Sequence, residues 1–157
     1  MPRLVPEFDY HADVEPHPVG PGPFGNRLEG TITAGEMSGE RLKATVVGGG
    51  ADWLLVGPDG FARLDVRTTV RTVDGAHVYV QYTGIWEMTP AVLALMDGGD
   101  TPTQFGEGYF ITTPRLETGD ERYAWVNQTV FVAEGRLVPG PRVEYRVYRV
   151  APGDAAP

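Results

Sequence analysis

Cysteine is absent from the 157-residue sequence, and lysine occurs once, at Lys43. Without cysteine the chain has no disulfide, no thiolate nucleophile and no cysteine-ligated zinc. Thirteen Lys and Arg against 21 Asp and Glu give a formal net charge of −8. The arginines are scattered and form none of the cationic clusters that hold phosphate backbones. We therefore expect neither nucleic acid nor an anionic membrane surface as a partner.

Long apolar segments are also missing. The first ten residues lack the apolar core of a secretory signal, and no stretch approaches the ~20 apolar residues that span a bilayer. These absences predict a cytoplasmic protein. The three histidines, His11, His17 and His77, have no metal-ligand spacing, and Ser38, the only serine, lies in no nucleophile motif. We expect no metal and no other cofactor.

Glycine and proline, by contrast, are abundant. The 21 glycines and 14 prolines stand between short apolar runs, which is typical of turns joining many strands. A length of 157 residues with 41% hydrophobic residues predicts one domain over residues 1–157. Two segments, 15–25 and 151–157, are expected to pack loosely because proline and glycine dominate them.

Period-two alternation of apolar and polar residues predicts an antiparallel all-β chain. The clearest hairpin joins two such runs through Asp74-Gly75, because tight hairpin turns need positive φ. One short helix is expected at Ala91–Met96, with Thr89 as its cap and Pro90 at its first position. About eight to ten short strands in one domain favour a closed barrel with a central cavity. The predicted strands are 7–14, 27–34, 41–47, 53–56, 61–73, 76–83, 108–113, 123–132 and 143–150.

The central strands carry two different faces. One is polar and aromatic, and the other is rich in valine. If the aliphatic face points inward, it forms an ordinary core. If the mixed face points inward, it lines a ligand cavity, and the aliphatic face then needs cover from a second subunit, which predicts a homodimer. The mixed face comprises Asp65, Arg67, Arg71, His77, Tyr79, Gln81, Tyr123, Trp125 and Asn127.

An ordered set of short motifs resembles one known family, the domain-of-unknown-function family 3237. No single motif is specific, but their order from Gly35 to Val150 is. The motifs are Val47-Gly48-Gly49-Gly50-Ala51-Asp52-Trp53, Pro58-Asp59-Gly60, Leu64-Asp65-Val66-Arg67, Asp74-Gly75-Ala76 with Tyr79, Tyr109-Phe110, Thr113-Pro114-Arg115, Glu117-Thr118-Gly119-Asp120 and Tyr123-Ala124-Trp125-Val126-Asn127.

The resemblance implies a small β-barrel, often dimeric, with a central cavity. Most members of that family have no assigned activity, and some look like components of natural-product pathways. The resemblance favours the mixed face as the cavity lining. The chain has Ile111 and Gln128 where the family commonly has a basic residue, which favours a less anionic ligand.

Four residues are candidates for polar chemistry. Asp65 and Arg67 lie two apart on one strand face, where the guanidinium stabilises the carboxylate. The alternative is a structural ion pair that fixes the barrel wall. Asp52, after three glycines, is a candidate acid or base at the barrel mouth. Glu117 begins a polar loop, where it is either a proton-transfer group or a solvated carboxylate.

Aromatic side chains are the candidates for ligand binding. In the ligand-cavity interpretation they stack on a planar ligand, with one amide directing it, and in the other interpretation they belong to the core. These residues are Trp53, Tyr79, Tyr123, Trp125 and Asn127.

The sequence therefore leads to three functional hypotheses. The first is a cofactor-independent barrel enzyme of cyclase, isomerase or lyase type. Its substrate would be a mid-sized, partly apolar metabolite such as a polyketide-type natural-product intermediate. The second is a non-catalytic small-molecule carrier or sensor. The third is a scaffold whose barrel is filled.

Overall fold

A computed structural model describes residues 1–154. These residues form eight strands, one α-helix and one 3₁₀ helix. The strands are β1 (Arg3–Gly22), β2 (Gly25–Gly39), β3 (Lys43–Val56), β4 (Phe61–Thr72), β5 (His77–Glu87), β6 (Phe110–Glu117), β7 (Phe131–Val138) and β8 (Arg142–Ala151). Helix α1 spans Pro90–Met96, and the 3₁₀ helix spans Glu121–Gln128.

The eight strands form a closed antiparallel barrel in sequence order, so the predicted fold class is confirmed. Each strand pairs with the next, and β8 returns to pair with β1. The ladders differ in length. β4 and β5 are paired continuously from Phe61–Glu87 to Arg71–His77, whereas β6 and β7 meet only at Ile111–Glu134 and Thr112–Ala133. The β6–β7 ladder is therefore the shortest of the barrel.

Several predicted boundaries change. The predicted strands at 41–47 and 53–56 are one strand, β3, whose pairing with β4 is irregular between Val46 and Gly50. Segment 15–25 is the tip of the β1–β2 hairpin rather than a loose segment. At the other end of the chain, Ala151 ends β8 and is buried, and residues 155–157 of the segment predicted to be loose lie outside the described part.

The aliphatic face points into the barrel. Val66, Val70, Val78 and Val80 are at most 1% exposed. The prediction that the mixed face lines the interior was therefore wrong. The physical reason is size, because an eight-stranded barrel is just wide enough for inward side chains to fill it, and branched aliphatic residues do this without unpaired polar atoms. The argument that an aliphatic outer face requires a homodimer no longer holds.

The 3₁₀ helix closes one end of the barrel. Asp120 caps it by accepting from the backbone N–H of Arg122, and Tyr123 and Val126 are buried. The Tyr123 hydroxyl donates to Asp74 Oδ1 at 2.8 Å, across to the β4–β5 turn. The predicted strand at 123–132 was therefore wrong except for its last two residues, which begin β7, because the local cap and this distant contact stabilise a helical turn.

Helix α1 lies over the opposite end of the barrel and has the sequence bounds that were predicted. Thr89 Oγ1 accepts from the N–H of Val92, and Val92 and Leu95 turn inward. No helix within residues 1–154 is long and apolar enough to cross a membrane. After α1, residues 97–109 form a strap along the barrel. The strap contacts β7 through Thr103, whose backbone N–H donates to the carbonyl of Leu137 at 2.9 Å.

Candidate functional site

A cavity of about 390 Å³ opens at the α1 end of the barrel. Residues of six strands form its walls, α1 covers it, and the β7–β8 turn borders its mouth. Its lining is almost wholly apolar. The lining residues are Val14, Pro16, Leu28, Gly30, Asp52, Leu54, Trp86, Leu95, Met96, Gly98, Gly99, Leu137, Val138, Pro139, Gly140, Pro141 and Val143.

Asp52 is the only ionisable residue among the described residues of this lining. Strand alternation places it on the same face of β3 as Leu54, which is 3% exposed. It is paired with Gly30 of β2 on one side and with Val66 of β4 on the other. Its Oδ1 accepts a hydrogen bond from the backbone N–H of Asp65 at 3.1 Å.

Burial raises the pKa of Asp52 to about 7, since an apolar surrounding disfavours the charged form. The negative charge of Asp65 raises the pKa further. The hydrogen bond from the Asp65 N–H and the charge of Arg27 act in the opposite direction. The carboxyl is therefore divided between its two protonation states near neutral pH, which suits a general acid or base.

Gly30 leaves room beside the carboxyl. A Cβ atom built at this position would lie 2.7 Å from Cγ1 of Val14, closer than carbon atoms pack. Because Gly30 faces Asp52 across the β2–β3 pair, even alanine there would force the cavity wall to move. The open space around the carboxyl thus depends on a residue without a side chain.

Aromatic rings fill the barrel next to the cavity. Trp86 lines the cavity and stacks on Phe110, with ring centroids 4.2 Å apart. Phe110 meets Tyr145 edge-on at 5.6 Å, and Tyr145 in turn contacts Tyr82 and Tyr10. Burial raises the pKa values of these three tyrosines, so their hydroxyls stay protonated. The aromatic cluster gives the cavity a firm inner boundary.

Asp52 is the one predicted site residue that reaches the cavity. Asp65 and Arg67 lie on the outer face with side chains 47% and 57% exposed, and their nearest charged atoms are 3.9 Å apart. Glu117 is exposed on β6 opposite Tyr79, which also faces outward. The structure therefore does not assemble these four residues with Asp52 in one site.

The other predicted ligand-binding residues also lie elsewhere. Trp53 is 43% exposed on the outside of β3. Trp125 lies beneath the Arg41 guanidinium at 3.8 Å. Asn127 exchanges two hydrogen bonds with the backbone of Thr118. Tyr123 belongs to the closed end, at the far side of the barrel from the cavity.

Sequence reasoning missed Trp86 and the cover formed by Leu95 and Met96. Trp86 stands at the end of β5 in register with Val80 and Tyr82, so correct assignment of the inward face would have found it. The helix was predicted, and its apolar residues could have been assigned to a barrel end. The β7–β8 turn at 138–141 borders the cavity only because the barrel closes, and this closure has no local sequence signal.

Comparison with known proteins places this barrel in a family. The model of the family described as "Protein of unknown function (DUF3237)" matches residues 2–150. The chain belongs to the DUF3237 family. A relative from Clostridium acetobutylicum, named as a UPF0311 protein, is 30% identical over 122 residues, which are 76% of this chain and 75% of the relative.

Solved structures of similar proteins share the DUF3237 barrel. A protein of unknown function from Rhodopseudomonas palustris has a TM-score of 0.87 at 29% identity, covering 96% of this chain and 99% of that one. A "beta-barrel like protein" from Acinetobacter baumannii has a TM-score of 0.78 at 29% identity, covering 96% and 97%. A further relative, the PR-toxin biosynthesis cluster protein 7 of Penicillium roqueforti, is 28% identical over 104 residues, 63% of this chain and 55% of the relative.

Proposed function

We propose that this DUF3237 protein is a cofactor-independent enzyme of the cyclase, isomerase or lyase type. Asp52 would move a proton on a mid-sized, partly apolar metabolite. The observation that carries the proposal is a single carboxyl group, with its pKa raised to about 7, in an otherwise apolar cavity of about 390 Å³. Perturbed carboxyl groups in apolar clefts are characteristic of proton-transfer sites.

The simplest chemistry for this arrangement is proton transfer next to a carbonyl group. The Asp52 carboxylate removes a proton from the carbon beside the carbonyl, so that a C–H bond breaks and an O–H bond forms on Asp52. The electron pair of the C–H bond becomes the enolate. Protonated Asp52 then returns the proton to the same or another carbon, which gives exchange or isomerisation. Elimination and ring closure begin with the same step.

The apolar walls support this role in two ways. They hold the pKa of Asp52 close to neutral pH by excluding water, and they confine a substrate close to the carboxyl group, which raises its effective concentration. Natural-product metabolism is a suitable setting. One relative is named as a protein of a toxin biosynthesis cluster.

An exchange assay in D₂O tests the role of Asp52 with a simple ketone in place of the natural substrate. We expect the protein to catalyse incorporation of deuterium beside the carbonyl of 1-tetralone, measured by mass spectrometry. Asp52→Asn should slow this incorporation by about 10²-fold or more, and the wild-type rate should rise with pH through about 7 as the carboxylate forms.

Asp65→Asn is the matched control, because Asp65 is the same residue type on the next strand but faces outward. Because the charge of Asp65 also raises the pKa of Asp52, the two proteins are compared well above pH 7, where Asp52 is ionised in both and Asp65→Asn should retain the wild-type exchange rate. Equal rates for Asp52→Asn and the wild type would contradict the proposal. A non-catalytic carrier or sensor, which an apolar cavity also suits, predicts that native mass spectrometry finds a bound molecule that is recovered unaltered after incubation.

A further inference from the structure

We propose that the cavity selects uncharged molecules with one hydroxyl or carbonyl group and rejects carboxylates, phosphates and ammonium compounds. This inference deepens the proposed function, since it concerns the same cavity, but it is a statement about binding and has its own test. It follows from the charges and hydrogen-bonding groups that the lining contains.

Negative ligands meet no counter-charge in the cavity. No Lys, Arg or His stands among the described lining residues, and Asp52 itself becomes negative as it ionises. Arg27, the cation whose charge reaches Asp52, donates from Nη1 to the carbonyl of Trp53 at 2.7 Å outside the barrel. A carboxylate or phosphate in the cavity would therefore lose its hydration without gaining an ion pair, which is strongly unfavourable.

Positive ligands meet too few acceptors. An ammonium group has three N–H donors. Only Asp52 and Trp86 carry nitrogen or oxygen in their side chains among the described lining residues, and the Trp86 indole is a donor. Asp52 Oδ1 already accepts one hydrogen bond, from the N–H of Asp65. The three N–H donors of an ammonium group point in different directions, so the one carboxyl group of the described lining cannot pair all of them, and the desolvation of two charges would offset their attraction.

A neutral hydroxyl or carbonyl group needs only one hydrogen-bond partner, and Asp52 provides it. A hydroxyl donates to the carboxylate form of Asp52, and a carbonyl accepts from the carboxylic acid form, so either compound is bound by one hydrogen bond. The remaining apolar walls suit a hydrocarbon frame. Because an apolar cavity of about 150 Å³ takes up benzene, a cavity of about 390 Å³ corresponds to a ligand of roughly 15 non-hydrogen atoms.

Three probes with one ring system separate the effect of charge from that of shape. They are 2-naphthylmethanol, 2-naphthoate and 2-naphthylmethylammonium. We expect the alcohol to bind the wild-type protein at pH 7 at least tenfold more tightly than either ion, as measured by isothermal titration calorimetry. Equal or tighter binding of the carboxylate or of the ammonium compound would overturn the proposal. So would the absence of binding by all three probes.

Variants show whether the cavity is the site of this selectivity. Val138→Trp at the cavity mouth should reduce alcohol binding at least tenfold. Val132→Trp, on the same strand but outside the lining, should not. Asp52→Asn should raise the affinity for 2-naphthoate relative to the affinity for the alcohol, since the repelling charge is gone. An unchanged ratio of the two affinities in Asp52→Asn would contradict the proposal.

The binding and exchange experiments test the two proposals independently. If the alcohol binds selectively and deuterium exchange is absent, the cavity is a selective binding site and the proposed enzymatic function is wrong. If exchange requires Asp52 and charged probes bind as well as the alcohol, the proposed function stands and the inferred selectivity is wrong.

Discussion

Asp52 and Asp65 show how strand register decides the chemistry of a residue. They lie on neighbouring strands, and the backbone N–H of one hydrogen-bonds to the carboxyl group of the other. Asp65 nevertheless points outward with 47% of its side chain exposed, while Asp52 points into the cavity and has a pKa of about 7. The sequence offers two similar aspartates, and only the direction of the side chain makes one of them a candidate acid or base.

The raised pKa of Asp52 predicts a pH-dependent cost to the folded state. A carboxyl group with a higher pKa in the folded than in the unfolded chain destabilises the protein as pH rises between the two values. A shift from 3.8 to about 7 corresponds to about 4 kcal/mol at 1.4 kcal/mol per pKa unit. Asp52→Asn should therefore unfold at a higher temperature than the wild type at pH 8 and at a similar temperature near pH 4.

Thermal unfolding of both proteins across this range, followed by circular dichroism, measures the effect. Asp65→Asn again serves as the control and should show no comparable rise at pH 8. A difference between Asp52→Asn and the wild type that is the same at pH 4 and pH 8 would show that the ionisation of Asp52 costs no stability.

Among the elements, the strap 97–109 connects the cover of the cavity to the barrel wall. Thr103 is 3% exposed, and its Oγ1 both donates to the carbonyl of Leu137 and accepts from its N–H, at 3.1 and 2.9 Å. Phe105 extends the contact by lying against the guanidinium groups of Arg136 and Arg146. Since Leu137 also lines the cavity, the strap and the cavity wall share this residue.

Thr103→Val should test that connection. The substitution keeps the shape of the side chain but leaves the buried N–H of Leu137 without its partner, which should lower the free energy of unfolding by about 2 kcal/mol. Chemical denaturation measures this loss. Thr101→Val, at an exposed position of the same strap, should change stability by less than about 0.5 kcal/mol. A loss that is equal for the two variants would show that the Thr103 contact is not the cause.

Elements with strong local signals could be predicted from the sequence. Helix α1 was predicted because Thr89 and Pro90 are sufficient to start it, and the β4–β5 hairpin because Asp74-Gly75 specifies its turn. The 3₁₀ helix was missed, since Tyr123, Trp125 and Asn127 alternate like a strand. The helical form of this segment is stabilised in part by a hydrogen bond from Tyr123 to Asp74, and Asp74 lies far away in the sequence.

At the scale of the whole molecule, the alternation of residues identified two faces but not which of them is concave. A period of two is the same for both sides of a strand, so the direction had to come from the volume available inside a ring of eight strands. The cavity was predicted in general terms, and Asp52 was among its candidate residues. Its apolar walls could not be predicted, because they are assembled from six strands, a helix and a turn.

The uneven pairing of the ring has a consequence for hydrogen exchange. Backbone amides exchange with solvent through local opening, and a short ladder opens at a lower free energy than a long one. The amides of β6 and β7 that face each other across the two paired positions should therefore exchange faster than those between β4 and β5. Native-state exchange followed by NMR would show this order, and uniform protection around the ring would show instead that the barrel opens only as a whole.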